Sequence, residues 1–266
     1  MYLYNFILIR CVYALMLFIP VCVQAQESTD ISITVMSYNI KNAYGGDTFK
    51  PIVEVINNTD PDYVALQEVD SVTSRVNWLN EPQEFGKLTN MYWDFAKGIS
   101  HAGGSYGNSM LSKLPVLKTV KIPLPGAEAR SALFTDIDLS NGVDPDNATV
   151  TFISTHWMNG DPVSRLESAI IINNYIDSII SAGIVSENWP FLLMGDLNAR
   201  NGSDPINEMR DHWETSDFNY GIDWLFFRPA NRWNWISSKK LPDPERKLSD
   251  HEAVVCDIEL LGVNLK

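Results

Sequence analysis

The sequence predicts an α/β layered domain, and three observations predict it. Short apolar or alternating runs recur along the chain, helical stripes lie between some of them, and the strongest polar residues fall at the ends of the strand-like runs. Ile31, Ile33 and Val35 alternate with Ser32 and Thr34, the pattern of a strand with one buried face. Thr48 stands where an N-cap would open a helix over roughly Phe49–Asn57. Tyr63–Leu66 is a short apolar run that ends at Gln67-Glu68, and Met110-Leu111 follows the glycines Gly103, Gly104 and Gly107. Leu133–Leu139 alternates again, and Val150–Ser154 leads into Thr155-His156. Asp161 is a good N-cap with Pro162 behind it. From there Leu166, Ala169, Ile170, Asn173, Ile176, Ile179 and Ile180 keep a stripe at helical spacing, which Gly183 can end. Phe191–Met194 reads as a central strand buried on both faces. Ile222–Phe227 and Ala253–Leu260 complete the set.

The amino terminus reads differently. One charge, Arg10, precedes the apolar run Cys11–Val23, and Val23-Gln24-Ala25 offers residues that a signal peptidase accepts. Pro20 and Gln24 shorten the uninterrupted run below the roughly 20 residues that span a bilayer. A removable secretory signal over residues 1–25 is therefore expected over a retained anchor, with a lipid-modified Cys22 as a weaker option. Residues 26–266 contain no Pro/Gly/Ser-rich linker, repeat or low-complexity tract and read as one domain. Of the three cysteines only Cys256 lies outside the signal, inside an apolar run, where a buried thiol is expected.

The net charge of −13 is spread without a Lys/Arg-rich run. A protein that grips nucleic acid through its phosphates needs cations at each contact, so the balance weighs against a nonspecific polyanion binder. It suits a protein whose positive charge arrives as bound metal.

The polar strand-end residues carry the chemistry. Glu68, Asp196 and Asp250, with Asn39 and Asn198, offer the carboxylate and carbonyl oxygens that hard cations such as Mg²⁺ and Mn²⁺ prefer. Neither a Cys-x-x-Cys nor a His-x-x-x-His pair is present, which argues against structural zinc. Among the four histidines, His156 and His251 sit at strand ends beside polar neighbours, where a neutral imidazole can take a proton from water. Asp223 is a carboxylate suited to orient such a ring. His212 reads as structural and His101 is open to either reading.

Taken together, seven blocks resemble a known family. They are Ser37-Tyr38-Asn39-Ile40, Leu66-Gln67-Glu68, Tyr106-Gly107-Asn108-Ser109-Met110-Leu111-Ser112, Thr155-His156, Gly195-Asp196-Leu197-Asn198, Ile222-Asp223-Trp224-Leu225-Phe226 and Ser249-Asp250-His251. In this order they resemble the endonuclease/exonuclease/phosphatase superfamily with its deoxyribonuclease-I-like fold. The resemblance implies a four-layer sandwich of two mixed β-sheets packed face to face, with helices outside. It implies a metal, Mg²⁺ or Mn²⁺, at Glu68, Asn39 and Asp250. It assigns the general base to His251, its orienting carboxylate to Asp223, and a hydrogen bond on the scissile phosphate to His156. Asp196 and Asn198 match the pair that positions the attacking water and holds phosphate oxygen. Arg130, Asn108 and Tyr106 match substrate-side positions.

These implications give the expected function: an exported phosphoesterase acting on a small phosphate ester, as a monomer and without stable membrane insertion once the signal is removed. The alternatives are a secreted endo- or exonuclease and a catalytically silent binding protein on the same fold. The segment Trp224-Leu225-Phe226-Phe227-Arg228 lacks the Asp-Arg pair of the inositol-polyphosphate branch, although Arg200 stands at a position that branch uses. The aromatic patch of Trp213, Phe218, Tyr220, Trp233 and Trp235 reads as core packing ahead of a stacking platform.

Overall fold

The computed structural model describes residues 29–216, 221–243 and 245–263. The expected signal over residues 1–25, with Cys11 and Cys22, lies outside them, as do Phe218 and Tyr220. Two mixed sheets form the centre. The first is built from β1 (Thr29–Asn39), β2 (Tyr63–Ser71), β3 (Tyr92–His101), β4 (Gly104–Ser112), β10 (Trp233–Lys240) and β11 (Val254–Val263), in the order β10-β11-β1-β2-β4-β3. The second holds β5 (Lys118–Leu124), β6 (Arg130–Asp138), β7 (Thr149–His156), β8 (Phe191–Asp196) and β9 (Asp223–Arg228), in chain order across the sheet. Only the pairs β1/β2 and β7/β8 are parallel. Helices α1 (Phe49–Thr59) and α2 (Glu81–Thr89) belong to the first half, and α3 (Pro145–Ala148), α4 (Pro162–Ser181) and α5 (Asp204–His212) to the second.

The period-two pattern of the strands sets the layers. Ile33 and Val35 of β1 and Tyr63 and Ala65 of β2 point into the core shared with the second sheet. Met36 and Tyr38, with Val64 and Leu66, point the other way, onto Phe49, Ile52 and Ile56 of α1 and Phe85 of α2. Strand β2 packs over β7, β1 over β8 and β3 over β6, so the sheets lie face to face. Phe191–Met194 are buried on both faces, as the apolar run predicts. On the far side Ile172 and Ile176 of α4 and Ile206 and Met209 of α5 close the fourth layer. The expected four-layer α/β sandwich is therefore the observed fold.

Local differences have local reasons. Asp161 caps α4, accepting from the Val163 and Ser164 amides at 3.0 and 3.3 Å. Thr48 makes no such cap, because its hydroxyl donates instead to the Leu248 carbonyl at 2.9 Å. Ile170 leaves the buried stripe for solvent, and Ser168, Ile172 and Asn173 take the inner face of α4. Trp213 and Trp233 are core residues, and the Trp213 indole donates to Asn173. Cys256 is buried in β11. Among the described residues no helix is long and apolar enough to cross a membrane.

Candidate active site

The ladder of the second sheet brings three site residues to one level. His156 ends β7 opposite Asp196 at the end of parallel β8, and Asp196 faces Asp223 at the start of antiparallel β9. A Cβ on Gly195 would stand 1.8 Å from the Thr155 carbonyl oxygen, so this close pairing requires glycine immediately before Asp196. In the first sheet Asn39 ends β1 opposite Gln67 of parallel β2.

Glu68 reaches the site through an irregularity in its strand. Pairing between β2 and β4 runs from Leu66↔Ser109 to Val69↔Gly107, so Gln67 and Glu68 together face Asn108. This is a β-bulge, and Glu68 adopts the left-handed φ of 58°. Its Oε1 accepts from Asn39 Nδ2 at 3.0 Å, and the same amide donates to Asp196 Oδ2 at 3.0 Å. One side chain thus ties the carboxylates of the two sheets together. Asn39 Oδ1 accepts from the Lys41 backbone amide at 3.0 Å.

The loop before β11 supplies His251. Ser249, fully buried, donates its hydroxyl to the Asn39 carbonyl at 2.6 Å and accepts from the His251 backbone amide at 3.2 Å. His251 Nδ1 lies 2.9 Å from Asp223 Oδ1, and its Nε2 lies 3.6 Å from Asp196 Oδ2. Burial lowers the imidazole, but the hydrogen bond and charge of Asp223, with Asp196 and Asp250, outweigh it and raise His251 to about 9. Burial and the neighbouring Asp223 push Asp196 up to about 7.

His156 sits on the other side of Asp196, its Nε2 3.5 Å from Asp196 Oδ2 and 3.0 Å from Asn198 Nδ2. Burial, then Arg130 and His251, hold its pKa well below the ordinary value, so the ring is neutral and Nε2 can accept from the Asn198 amide. Asn198 takes the left-handed φ of 50° that asparagine tolerates, and donates also to the Trp157 carbonyl at 3.0 Å. Arg130, mostly buried at the start of β6, pairs with Glu128 at 2.7 Å, and its Nε has no protein partner among the described residues. Burial and the Glu68 carboxylate push the Tyr106 hydroxyl well above its usual range, which keeps it a donor. The Arg75 guanidinium lies over its ring.

Two expected residues sit differently. The Asn108 amide nitrogen donates to the Ser131 carbonyl at 2.7 Å and ties β4 to β6, a contact between the sheets that the sequence reading did not include. Asp250 takes an ion pair with Lys41, and no described hydrogen bond joins it to Glu68 or Asn39. His101 lies 6.2 Å from the Tyr106 ring, and His212 lies beside Glu208 and Asp177 on the surface of α5. Ser249 and Lys41 carried no predicted role. The polar triplet Ser249-Asp250-His251 was the available signal for the first, and nothing in sequence marked the second.

The donor set fits a hard divalent cation. Glu68, Asp196, Asp223 and Asp250 are oxygen donors, and burial first, then the neighbouring Asp223, raises Asp196, so a cation there would favour its ionised form. Among the described residues Asp196, Asp223 and His251 form a group whose ligand atoms lie within 4.8 Å of one another. That group is distinct from the expected set of Glu68, Asn39 and Asp250.

Comparison with known proteins agrees with this fold. A family model described as "Endonuclease/Exonuclease/phosphatase family" matches residues 36–251. No curated protein matches by sequence. Among solved structures, the catalytic domain of human Nocturnin with bound sulfate is similar at 17% identity and a TM-score of 0.70, over 88% of this chain and 97% of that one. An endonuclease/exonuclease/phosphatase from Bacteroides vulgatus gives 17% identity and a TM-score of 0.69, over 86% and 99%. A mannosyl-6-phosphatase from Bacteroides thetaiotaomicron VPI-5482 gives 14% and 0.60, over 85% and 99%. At these identities the solved structures speak for the fold alone.

Proposed function

The chain belongs to the endonuclease/exonuclease/phosphatase family, whose members are phosphoester hydrolases, and from that premise we propose that it is an exported, divalent-metal-dependent enzyme that hydrolyses a small phosphate ester with an activated water. The observation that carries this reading is the convergence on Asp196: His251, His156 and Asn39 all lie within 3.6 Å of its Oδ2.

Glu68 would hold the cation, Mg²⁺ or Mn²⁺, with Asp250 beside it, and Asn39 would join them through its oxygen with the amide turned over from the orientation in which its nitrogen faces Glu68 and Asp196. Bound there, the cation would neutralise charge on a phosphate oxygen and the leaving group. The chain's own groups divide the remaining work. Asp223 accepts from Nδ1 of His251, which leaves Nε2, on the Asp196 side, to take the proton of the attacking water when the ring is neutral, a form that a bound cation would favour by offsetting the carboxylates that raise its pKa to about 9. Asp196 is the acceptor that positions that water between itself and His251. Asn198 and the neutral His156 lie on the opposite side of Asp196, and they would donate to the non-bridging phosphate oxygens once the Asn198 amide turns from His156 Nε2 and the Trp157 carbonyl and the ring takes the tautomer with its proton on Nε2. Arg130 supplies a further guanidinium donor. Attack is in line, with no covalent enzyme intermediate.

A small substrate is favoured over nucleic acid because the chain carries a net charge of −13 and no basic run to track a backbone. The deciding assay compares a chromogenic phosphomonoester, a chromogenic phosphodiester, plasmid DNA and single-stranded DNA, each with and without Mg²⁺ or Mn²⁺. Metal-dependent hydrolysis of a small ester alone supports the proposal. Rapid nicking of DNA makes the protein a nuclease, and no turnover on any phosphoester makes it a binding protein. Export is tested by sequencing the amino terminus of the mature protein, which is expected to start at Gln26.

A further inference from the structure

His251 and Asp223 also form one wall of a cleft of about 310 Å³, within the range of roughly 300–1,000 Å³ typical of ligand pockets. Three cations line it: Arg200, Lys240 and Arg246. Each comes from a segment that adjoins the catalytic groups. Arg200 lies two residues after Asn198, and Lys240 ends β10 opposite Val254, three residues after His251. Arg246 donates to the backbone carbonyl of Asp250.

Three carboxylates match the three cations in number, but two of them already have other partners. Of its three carboxylates, Asp223 is engaged by His251 and Asp250 by Lys41, which leaves Glu252 facing the three cations. No side-chain hydrogen bond or ion pair engages Arg200 or Lys240 among the described residues. Several basic side chains elsewhere are matched, Arg75 with Asp70, Lys113 with Asp60 and Asp62, Lys121 with Asp94, and Arg228 with Asp177, and the cleft differs in gathering its cations round one concavity. In a chain with a net charge of −13, three cations gathered round one concave site beside His251 offset the local acidity. A cleft focuses such a field, and an anion is what it attracts.

We propose that this cleft binds a second phosphate group of the substrate, with the scissile phosphate held at His156 and Asn198. The substrate class is then a small bisphosphorylated compound. The inference rests on the phosphoesterase reading and narrows it. Arginine and lysine together suit a dianionic phosphate, the arginines by paired donors and the lysine as a point charge.

The test pairs bisphosphates of several spacings with their monophosphate partners: fructose 1,6-bisphosphate with fructose 6-phosphate, glucose 1,6-bisphosphate with glucose 6-phosphate, and inositol 1,4-bisphosphate with inositol 1-phosphate. Phosphate release is measured for the parent chain, the double variant Arg200→Ala/Lys240→Ala and the conservative Lys240→Arg. At least one bisphosphate should exceed its partner in kcat/KM by about tenfold or more, a difference of about 1.4 kcal/mol. The double variant should abolish that preference at an unchanged unfolding temperature, and Lys240→Arg should keep it. A preference below about threefold for every pair, or one that survives the double variant, overturns the inference. A carboxylate arm, 6-phosphogluconate against glucose 6-phosphate, separates phosphate from general anion binding: equal preference for the carboxylate overturns the phosphate assignment. If no compound releases phosphate, these monoesters are not substrates, and the phosphodiester and DNA assays above decide the phosphoesterase reading. Calorimetric titration with pyrophosphate then decides the cleft by itself: tighter binding to the parent than to the double variant supports an anion site, and equal binding overturns it.

Discussion

His251 Nδ1 lies 2.9 Å from Asp223 Oδ1, and on the opposite side of the ring Nε2 lies 3.6 Å from Asp196 Oδ2. The ring is thus held between two carboxylates, one that fixes its tautomer and one that shares its reactive face. Replacing Asp223 by Asn keeps the size of the group but removes the charge. We expect Asp223→Asn to lower kcat on the order of 10²–10⁴-fold, the range seen when a catalytic histidine loses its orienting carboxylate. In the metal-free protein the His251 pKa should fall from about 9 toward or below its ordinary 6.5, read by NMR titration of the ring. A raised folded-state pKa contributes stability that is present below the unfolded value and lost as pH climbs through the folded one. The metal-free unfolding temperature should therefore decline between about pH 6.5 and 9, and this decline should shrink in Asp223→Asn. Unchanged titration of His251 would remove Asp223 from its assigned role.

Glu81 gives a second pH effect, away from the catalytic groups. It is fully buried at the start of α2, its Oε2 accepts from the Asp70 amide at 2.8 Å, and its Oε1 has no hydrogen-bond partner among the described residues. Burial raises its pKa to about 8, so the carboxyl is held neutral in the fold and must ionise in a dry site as pH rises. Its sign is the same as for His251: stability is lost from the unfolded value of 4.5 upward through about 8. Glu81→Gln removes the ionisation while keeping the acceptor. It should raise the unfolding temperature at pH 9 by on the order of 5 °C and change it little at pH 4.5. Equal shifts at both pH values would show that Glu81 is not the titrating group.

Ser249 joins the end of β1 to the loop that carries His251 through two hydrogen bonds, one to the Asn39 carbonyl and one from the His251 amide. Ser249→Ala leaves both of those buried groups without their partner, at about 1–3 kcal/mol of stability. Because the loop sets the distance from His251 to Asp196, kcat should fall about tenfold with KM nearly unchanged. A variant that loses stability but keeps full kcat would assign Ser249 to packing alone.

Sequence reveals the site in this chain better than it reveals the sheet edges. The buried run Phe191–Met194 and the alternation in Ile31–Val35 are legible because burial on one or both faces writes a pattern into the residues. Strands β3, β5 and β10 carry no such signal. Each is an edge strand, and the interiors of β3 and β10 are half-exposed or exposed at most positions. The candidate catalytic groups announce themselves as polar residues at the ends of apolar runs, His156 and Asp196 closing one and Asp223 near the opening of another, which is why they are visible before the fold is known. The direction of Glu68 is not visible, since it depends on a bulge that only the pairing with β4 creates. The Lys41–Asp250 pair joins residues 209 positions apart, a separation no local pattern encodes.

That bulge leads to a prediction about metal. Glu68 is turned into the site by its left-handed φ of 58° and linked through the Asn39 amide to Asp196. Chelation with EDTA should abolish turnover, and Mg²⁺ or Mn²⁺ should restore it. In Glu68→Gln the neutral amide keeps an oxygen but loses its charge, so the concentration of Mg²⁺ for half-maximal rate should rise at least about tenfold. The metal should also raise the unfolding temperature of the parent in proportion to its saturation, and Glu68→Gln should need correspondingly more of it. This second readout separates binding from chemistry: a variant with unaltered metal-induced stabilisation but lost turnover would move Glu68 from holding the cation to contacting the substrate.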